Sequence, residues 1–285
     1  MTRTSKLNLS TPLQLGALRL QHRLVVVGTS AAERSSYSLA ARYRAKASEG
    51  GLSICALADG HQTDAAHLLA RGITSANEVN CWLDVTQAIH ASGGTAVGRI
   101  GESIALPGTV LNDDQIDAAL DACRTAAENA SDAGFDGVEL AATLGTLPEQ
   151  LESSPANPHG SGFLCDALRA LFAVWPENRV GLNLSLPTTP ADLRRLHHAL
   201  RSIDTRALAY VHLQATGSGH AIWCKPYASS VRLHHRCALI ISGRWTARHA
   251  DMAIGSGKTD AVGLQAGGMP EEMGAAWRAQ LKVMD

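Results

Sequence analysis

Arg99 and Glu102 stand three residues apart, where the apolar run TAVGRI (95–100) gives way to a loop, and Glu139 lies in a second such run, DGVEL (136–140). If the two runs are neighbouring strands, side-chain alternation lets Arg99 and Glu139 point to the same side. A guanidinium among carboxylates then has two uses. It fills a core as a structural ion pair, or it polarises a substrate carbonyl while a loop carboxylate such as Glu102 acts as a general base. Past Glu139 the chain reads AATLGTLPEQL (141–151). Ala141 and Leu144 carry no donor, and Thr143 and Thr146 offer hydroxyls that can hold a substrate oxygen without acid–base work. His212, in LAYVHL (208–213), is either a core histidine or a site residue. Trp223 and Trp245 fall in later loops, where they roof an apolar cavity or cover the core or a dimer contact.

The elements that must position these residues alternate along the chain. Short apolar or β-branched runs at 24–28, 52–57, 95–100, 136–140, 180–185, 208–213, 239–242 and 260–264 read as strands. Amphipathic stretches between them, at 38–49, 75–91, 113–133, 162–175, 190–203, about 226–237, 246–257 and 270–282, read as helices. The stretch 113–133 opens on Asn112, Asp113 and Asp114 as cap and first-turn acids and stops at Gly134. Strand and helix in strict alternation predict a parallel sheet closed into an α/β (β/α)8 barrel, with the site on the loops after the strands. An open doubly wound sheet is the other solution, but no G-x-G-x-x-G follows an early strand.

Bulk properties narrow the function. The chain has 285 residues, 45% hydrophobic and 18% charged, enough to bury a full core without disulfides. No Pro/Ser-rich linker breaks it, so residues 1–285 are expected to form one domain. A formal net charge of −1, with Lys and Arg scattered, argues against nucleic acid or an anionic membrane as partner. There is neither a membrane-length apolar run nor a signal-peptide core, and a cytoplasmic location is expected. The six cysteines lack metal-finger spacing, and the pairs His197–His198 and His234–His235 are adjacent residues that chelate poorly on a helix. No structural metal is expected.

Several motifs, in order, carry a family resemblance: PLQLGALRLQHRLVV (12–26), YRAKASEGGLSI (43–54), VNCWLDVTQAIHASGG (79–94), AAENASDAGFDGVEL (126–140), RVGLNLS (179–185), AYVHL (209–213) and GKTDAVGL (257–264). From Pro12 to about Gly268 the chain resembles the old yellow enzymes, which are FMN-dependent ene-reductases. The resemblance implies a single old yellow enzyme-like TIM barrel, here shortened, with the capping insertion after the third strand reduced to GESIALPGTVLND (101–113).

The resemblance also implies which positions should hold flavin and substrate. The family's His-x-x-His/Asn-Gly-Tyr after the fourth strand, which grips the substrate oxygen and delivers a proton, falls on Ala141, Leu144 and Thr146. The glutamine that reaches the flavin ring falls on Arg99, and the arginine of the fifth strand on Asn183. A frequent histidine past the third strand falls on Glu102. The Ala-Pro-x-Thr after the first strand is Val27-Gly28-Thr29-Ser30. The phosphate-cradling Gly-Arg falls on Gln265-Ala266, and the usual Gly-Gly after the seventh strand is Gly243-Arg244. Four or five lost contacts, at about 1–3 kcal/mol for each charged hydrogen bond, would remove FMN affinity.

The expectation is therefore a flavin-independent, non-redox enzyme of specialised metabolism with no cofactor, a cyclase or isomerase and in one form pericyclic. It would act on a small unsaturated hydrophobic substrate through Arg99, Glu102 and Thr146, with Thr143, Leu144, Ala141, Asn183, His212, Trp223 and Trp245 around that substrate. The alternatives are a non-catalytic binding or partner subunit, and a weak FMN-dependent ene-reductase. A homodimer and a residual phosphate site at Gly243-Arg244 and Gly267-Gly268 stay open.

Overall fold

The computed structural model describes residues 8–28, 36–46, 49–57, 73–102, 111–143, 146–153, 162–215, 229–232 and 235–265. Two short strands, β1 (Leu13–Leu15) and β2 (Leu18–Leu20), pair antiparallel as a hairpin. Eight further strands follow: β3 (Leu24–Val27), β4 (Leu52–Ala56), β5 (Thr95–Ile100), β6 (Gly137–Ala142), β7 (Val180–Ser185), β8 (Tyr210–Gln214), β9 (Leu239–Ser242) and β10 (Ala261–Gln265). All eight pair in parallel and close on themselves through β10 and β3, so the predicted (β/α)8 barrel is the observed fold. Closure leaves no sheet edge unpaired.

Helices α1 (Ser36–Lys46), α2 (Ala76–His90), α3 (Asp113–Asp132), α4 (Leu147–Ser153), α5 (Phe163–Phe172), α6 (Pro190–Arg201) and α7 (Ala247–Gly255) are the described helices. Three start with reciprocal caps: Ser75 with Glu78, Asn112 with Gln115, and Thr189 with Asp192. Each box satisfies two backbone donors that the first turn would otherwise leave unpaired. The expected stop of α3 at Gly134 is observed, with φ +76°, a left-handed position that suits glycine.

Strand alternation divides the core in two. Val138, Leu140, Leu182, Leu184, Val211, Leu213 and Ile241 face the helices. Val25, Val27, Leu52, Ile54, Val97, Tyr210 and Ile240 fill the lumen, and Leu15, Leu18 and Leu20 of the hairpin pack beneath them. The hairpin therefore plugs the bottom of the barrel. Its turn needs Gly16: φ is +57°, and a Cβ there would collide with the Asn178 carbonyl, which accepts the Ala17 N–H at 2.8 Å.

Two elements were not expected from the sequence. The hairpin strands are three residues each, but LQLGALRL alternates about a glycine and carries the signal. Helix α4 is short and lies in the segment read as an emptied loop. Strand β6 runs on to Ala142 rather than ending at Leu140, because Ala141 and Ala142 pair with Asn183 and Leu184 of β7. Of the helix expected near 226–237, residues 229–232 and 235–237 are described and 229–232 are helical, whereas that at 270–282 lies outside the described residues, as does most of the shortened insertion (103–110).

Candidate functional site

The lumen side chains at the upper ends of β5, β6, β8 and β9 are polar and form one chain of contacts. Arg99 Nε donates to Glu139 Oε1 at 2.6 Å, and the Arg99 Nη1 group donates to Glu102 Oε1 at 3.1 Å. Glu139 Oε2 lies 3.0 Å from His212 Nδ1, and His212 Nε2 lies 2.8 Å from Ser242 Oγ. A neutral His212 that donates to Glu139 through Nδ1 accepts from the Ser242 hydroxyl through Nε2. Arg99, Glu139, His212 and Ser242 are each 1% exposed or less.

Local sequence explains how five residues from four strands and a loop meet. Register sets Arg99 beside Glu139, and Glu139 beside Gly181. Gly181 has no side chain to fill the lumen at that level, so Glu139 reaches past β7 to His212 on β8. The space is tight. A Cβ on Gly181 would lie 2.5 Å from the Tyr210 ring.

Electrostatics holds Arg99 and Glu139 charged. Burial works against the Glu139 carboxylate, but Arg99 first and His212 second outweigh it and bring its pKa down to about 2. Burial likewise works against the Arg99 charge, yet Glu139 and Glu102 raise its pKa above the ordinary value. Beneath them, burial and then the Glu139 charge raise the Tyr210 phenol well above its usual range. The Arg99 guanidinium thus stands between the carboxyl groups of Glu139 and Glu102. The hydrogen bonds of this network are incomplete: among the described residues, Arg99 Nη2 and Glu102 Oε2 are buried with no hydrogen-bond partner, as is the Tyr210 hydroxyl beneath them.

The other expected site residues are distributed around this centre. Ala141 is fully buried at the end of β6 and pairs with Asn183, whose amide nitrogen donates to the His212 carbonyl at 3.2 Å. The Thr146 hydroxyl donates to the Thr143 carbonyl at 2.8 Å, just ahead of α4. Thr143 is nearly buried at the turn. Trp245 is 6% exposed, packs in the outer core between strands and helices, and donates its indole N–H to the Ile241 carbonyl at 3.1 Å. It is not among the lumen residues. Arg244 is exposed after β9. Leu144, Trp223, Thr29, Ser30, Ala266, Gly267 and Gly268 lie outside the described residues.

Sequence reading missed Ser242, which completes the chain, and Gly181, which makes room for it. The signal for Ser242 was a lone hydroxyl closing the apolar strand LIIS. Outside the lumen, a cavity of about 460 Å3 opens beside α4 and α6, with Leu164, Leu184 and Leu196 in its wall and Arg194, Arg195 and His198 at its rim. Among the described residues no group of three or more His, Cys, Asp or Glu could hold a metal ion, and no helix is long and apolar enough to cross a membrane.

No protein-family model matches the chain. Among curated proteins, 12-oxophytodienoate reductase 1 of Oryza sativa subsp. japonica is 28% identical, across 62% of this chain and 58% of that protein. The match thus spans less than two thirds of that relative's length. The probable inactive reductase easA of Epichloe festucae var. lolii is 27% identical, across 80% of this chain and 72% of its own. Among solved structures, morphinone reductase superposes with a TM-score of 0.77 at 21% identity, covering 98% of this chain and 91% of that one.

Proposed function

From its homology in sequence and fold to the old yellow enzyme family of FMN-dependent ene-reductases, we propose that this chain is an enzyme that binds an unsaturated, largely apolar carbonyl compound in the barrel mouth and polarises its oxygen through Arg99. The observation that carries this reading is the unpartnered Arg99 Nη2 on a guanidinium whose other groups are anchored by Glu139 and Glu102. A donor held rigidly in a buried site loses little on reorganisation when an oxygen gains negative charge.

Two reactions fit such a site, and different observations favour each. The homology favours FMN-dependent reduction of the conjugated double bond, the activity of the family, and of the two it has the wider support from the comparisons. The side chains favour the second, a flavin-independent cyclisation or isomerisation. Among the described residues the positions that resemble the family's ring contacts carry different groups. Arg99 stands where the family has glutamine, the Asn183 amide donates to a backbone carbonyl, and Ala141 has no donor. The relative named a probable inactive reductase agrees with a barrel that has left the family's redox chemistry. In this second reading the protein supplies only position and polarisation. A substrate pressed into a reactive fold gains most of its acceleration from proximity, and one donor suffices for the charge that develops.

The visible absorption spectrum of the purified protein, repeated after excess FMN and desalting, tests the choice. A colourless protein that retains no flavin supports the non-redox reaction. Retained flavin, bleached by NAD(P)H and reoxidised by an enone, establishes reduction.

A further inference from the structure

On the premise that the barrel mouth is a carbonyl site, the second unpartnered atom sharpens its chemistry. Arg99 Nη1 and Glu102 Oε1 are joined at 3.1 Å, and the free atoms, Nη2 and Oε2, are their covalent siblings. A hydrogen-bond donor with a fixed positive charge and a carboxylate oxygen with a free lone pair therefore stand together. That combination suits an oxygen that gains charge while a carbon one bond beyond its carbonyl carbon loses a proton.

No other described group at the mouth can take that proton. Glu139 spends both oxygens, on Arg99 and His212. The Thr146 hydroxyl is given to the Thr143 carbonyl. Gln214, at the end of β8, also has an unpartnered buried oxygen, but an amide is far too weak a base. Glu102 combines an unpartnered carboxylate oxygen with a position just past the end of β5, its side chain as a whole being 19% accessible.

We infer that Glu102 and Arg99 form a base-and-donor pair that moves a carbon–carbon double bond of a β,γ-unsaturated ketone into conjugation. Glu102 Oε2 takes a proton from the α-carbon. The electron pair of the broken C–H bond enters a dienolate whose oxygen Arg99 Nη2 holds. The protonated carboxyl returns the proton to the γ-carbon, a C–H bond forms there, and the α,β-double bond is left. Nothing is oxidised or reduced, Glu102 is regenerated, and no co-reactant is consumed. The guanidinium charge lowers the energy of the dienolate.

The probe is cyclohex-3-en-1-one with the full chain in D2O, without flavin. Proton NMR follows deuterium at the α- and γ-carbons and the appearance of cyclohex-2-en-1-one, and saturation-transfer NMR follows binding. The wild-type protein should exchange and isomerise the probe above the buffer rate, and Glu102→Gln should slow both by about 100-fold or more while the probe still binds. Arg99→Lys, which keeps a cation beside Glu139, should retain the fold and isomerise more slowly. Binding without exchange in the wild type, or equal exchange in Glu102→Gln, overturns the base-and-donor pair and leaves the carbonyl site standing. A wild-type protein that does not bind the probe overturns the carbonyl site as well.

Discussion

Arg99 Nε and Glu139 Oε1 meet at 2.6 Å, with the two side chains 1% and 0% exposed, in the lumen of a barrel floored by aliphatic residues and Tyr210. Such a pair gains little over a well-packed apolar substitute, because desolvation of both ions offsets their attraction. Its value lies in orientation. Glu139 fixes one face of the guanidinium and, through His212, ties it to the far side of the barrel.

Removing one partner leaves the other charged and buried. Arg99→Ala should destabilise the fold by about 3–5 kcal/mol. Arg99→Ala with Glu139→Ala should be less destabilised than the sum of the two single variants. Urea unfolding of all three checks this, and additive losses would show that the pair is not coupled.

Stability should fall in acid through Glu139. Its folded pKa, about 2, lies below the ordinary value of 4.5, so the contribution is present above that value and is lost as pH falls toward 2. Thermal unfolding between pH 6 and pH 2.5 should show a Tm that drops progressively below about pH 4.5. In Glu139→Gln the drop should be shallower.

Ser242→Ala strips His212 Nε2 of its partner at little change in the volume of the strand. The buried nitrogen left unpaired should cost about 1–3 kcal/mol. Chemical denaturation measures it, and a cost near zero would mean that the hydroxyl does not serve the ring.

Trp245 separates the outer core from the site. Trp245→Ala should cost about 3–5 kcal/mol in stability, as for a large buried aromatic. At a temperature where the variant remains folded, turnover per folded molecule should stay near the wild-type value. A variant of wild-type stability with lost turnover would place the indole at the substrate instead.

Gly181→Ala tests the space through which Glu139 reaches His212. The added methyl would lie 2.5 Å from the Tyr210 ring, and overpacking of this kind costs about 1–3 kcal/mol. The histidine ring signals of the variant should shift in NMR as the Glu139–His212 contact is displaced, and unchanged signals would contradict the arrangement.

By itself the sequence determined the architecture. Eight runs of strand character alternating with amphipathic helices admit few closed arrangements, and residues 95–100, 180–185 and 239–242 became strands at the expected bounds because local apolar patterning defines which face each buries. It also carried the family resemblance, and it placed Arg99 and Glu139 on neighbouring strands.

The tertiary structure decided what those residues touch. Glu139 and His212 are 73 positions apart on β6 and β8, which are not neighbours, His212 and Ser242 are 30 apart, and nothing in local propensity encodes either contact. Barrel closure and the missing side chain of Gly181 bring them together. The same holds for Trp245, whose loop position suggested the rim. Its indole turns into the outer core because the Ile241 carbonyl and the apolar side chains there satisfy both its N–H and its ring.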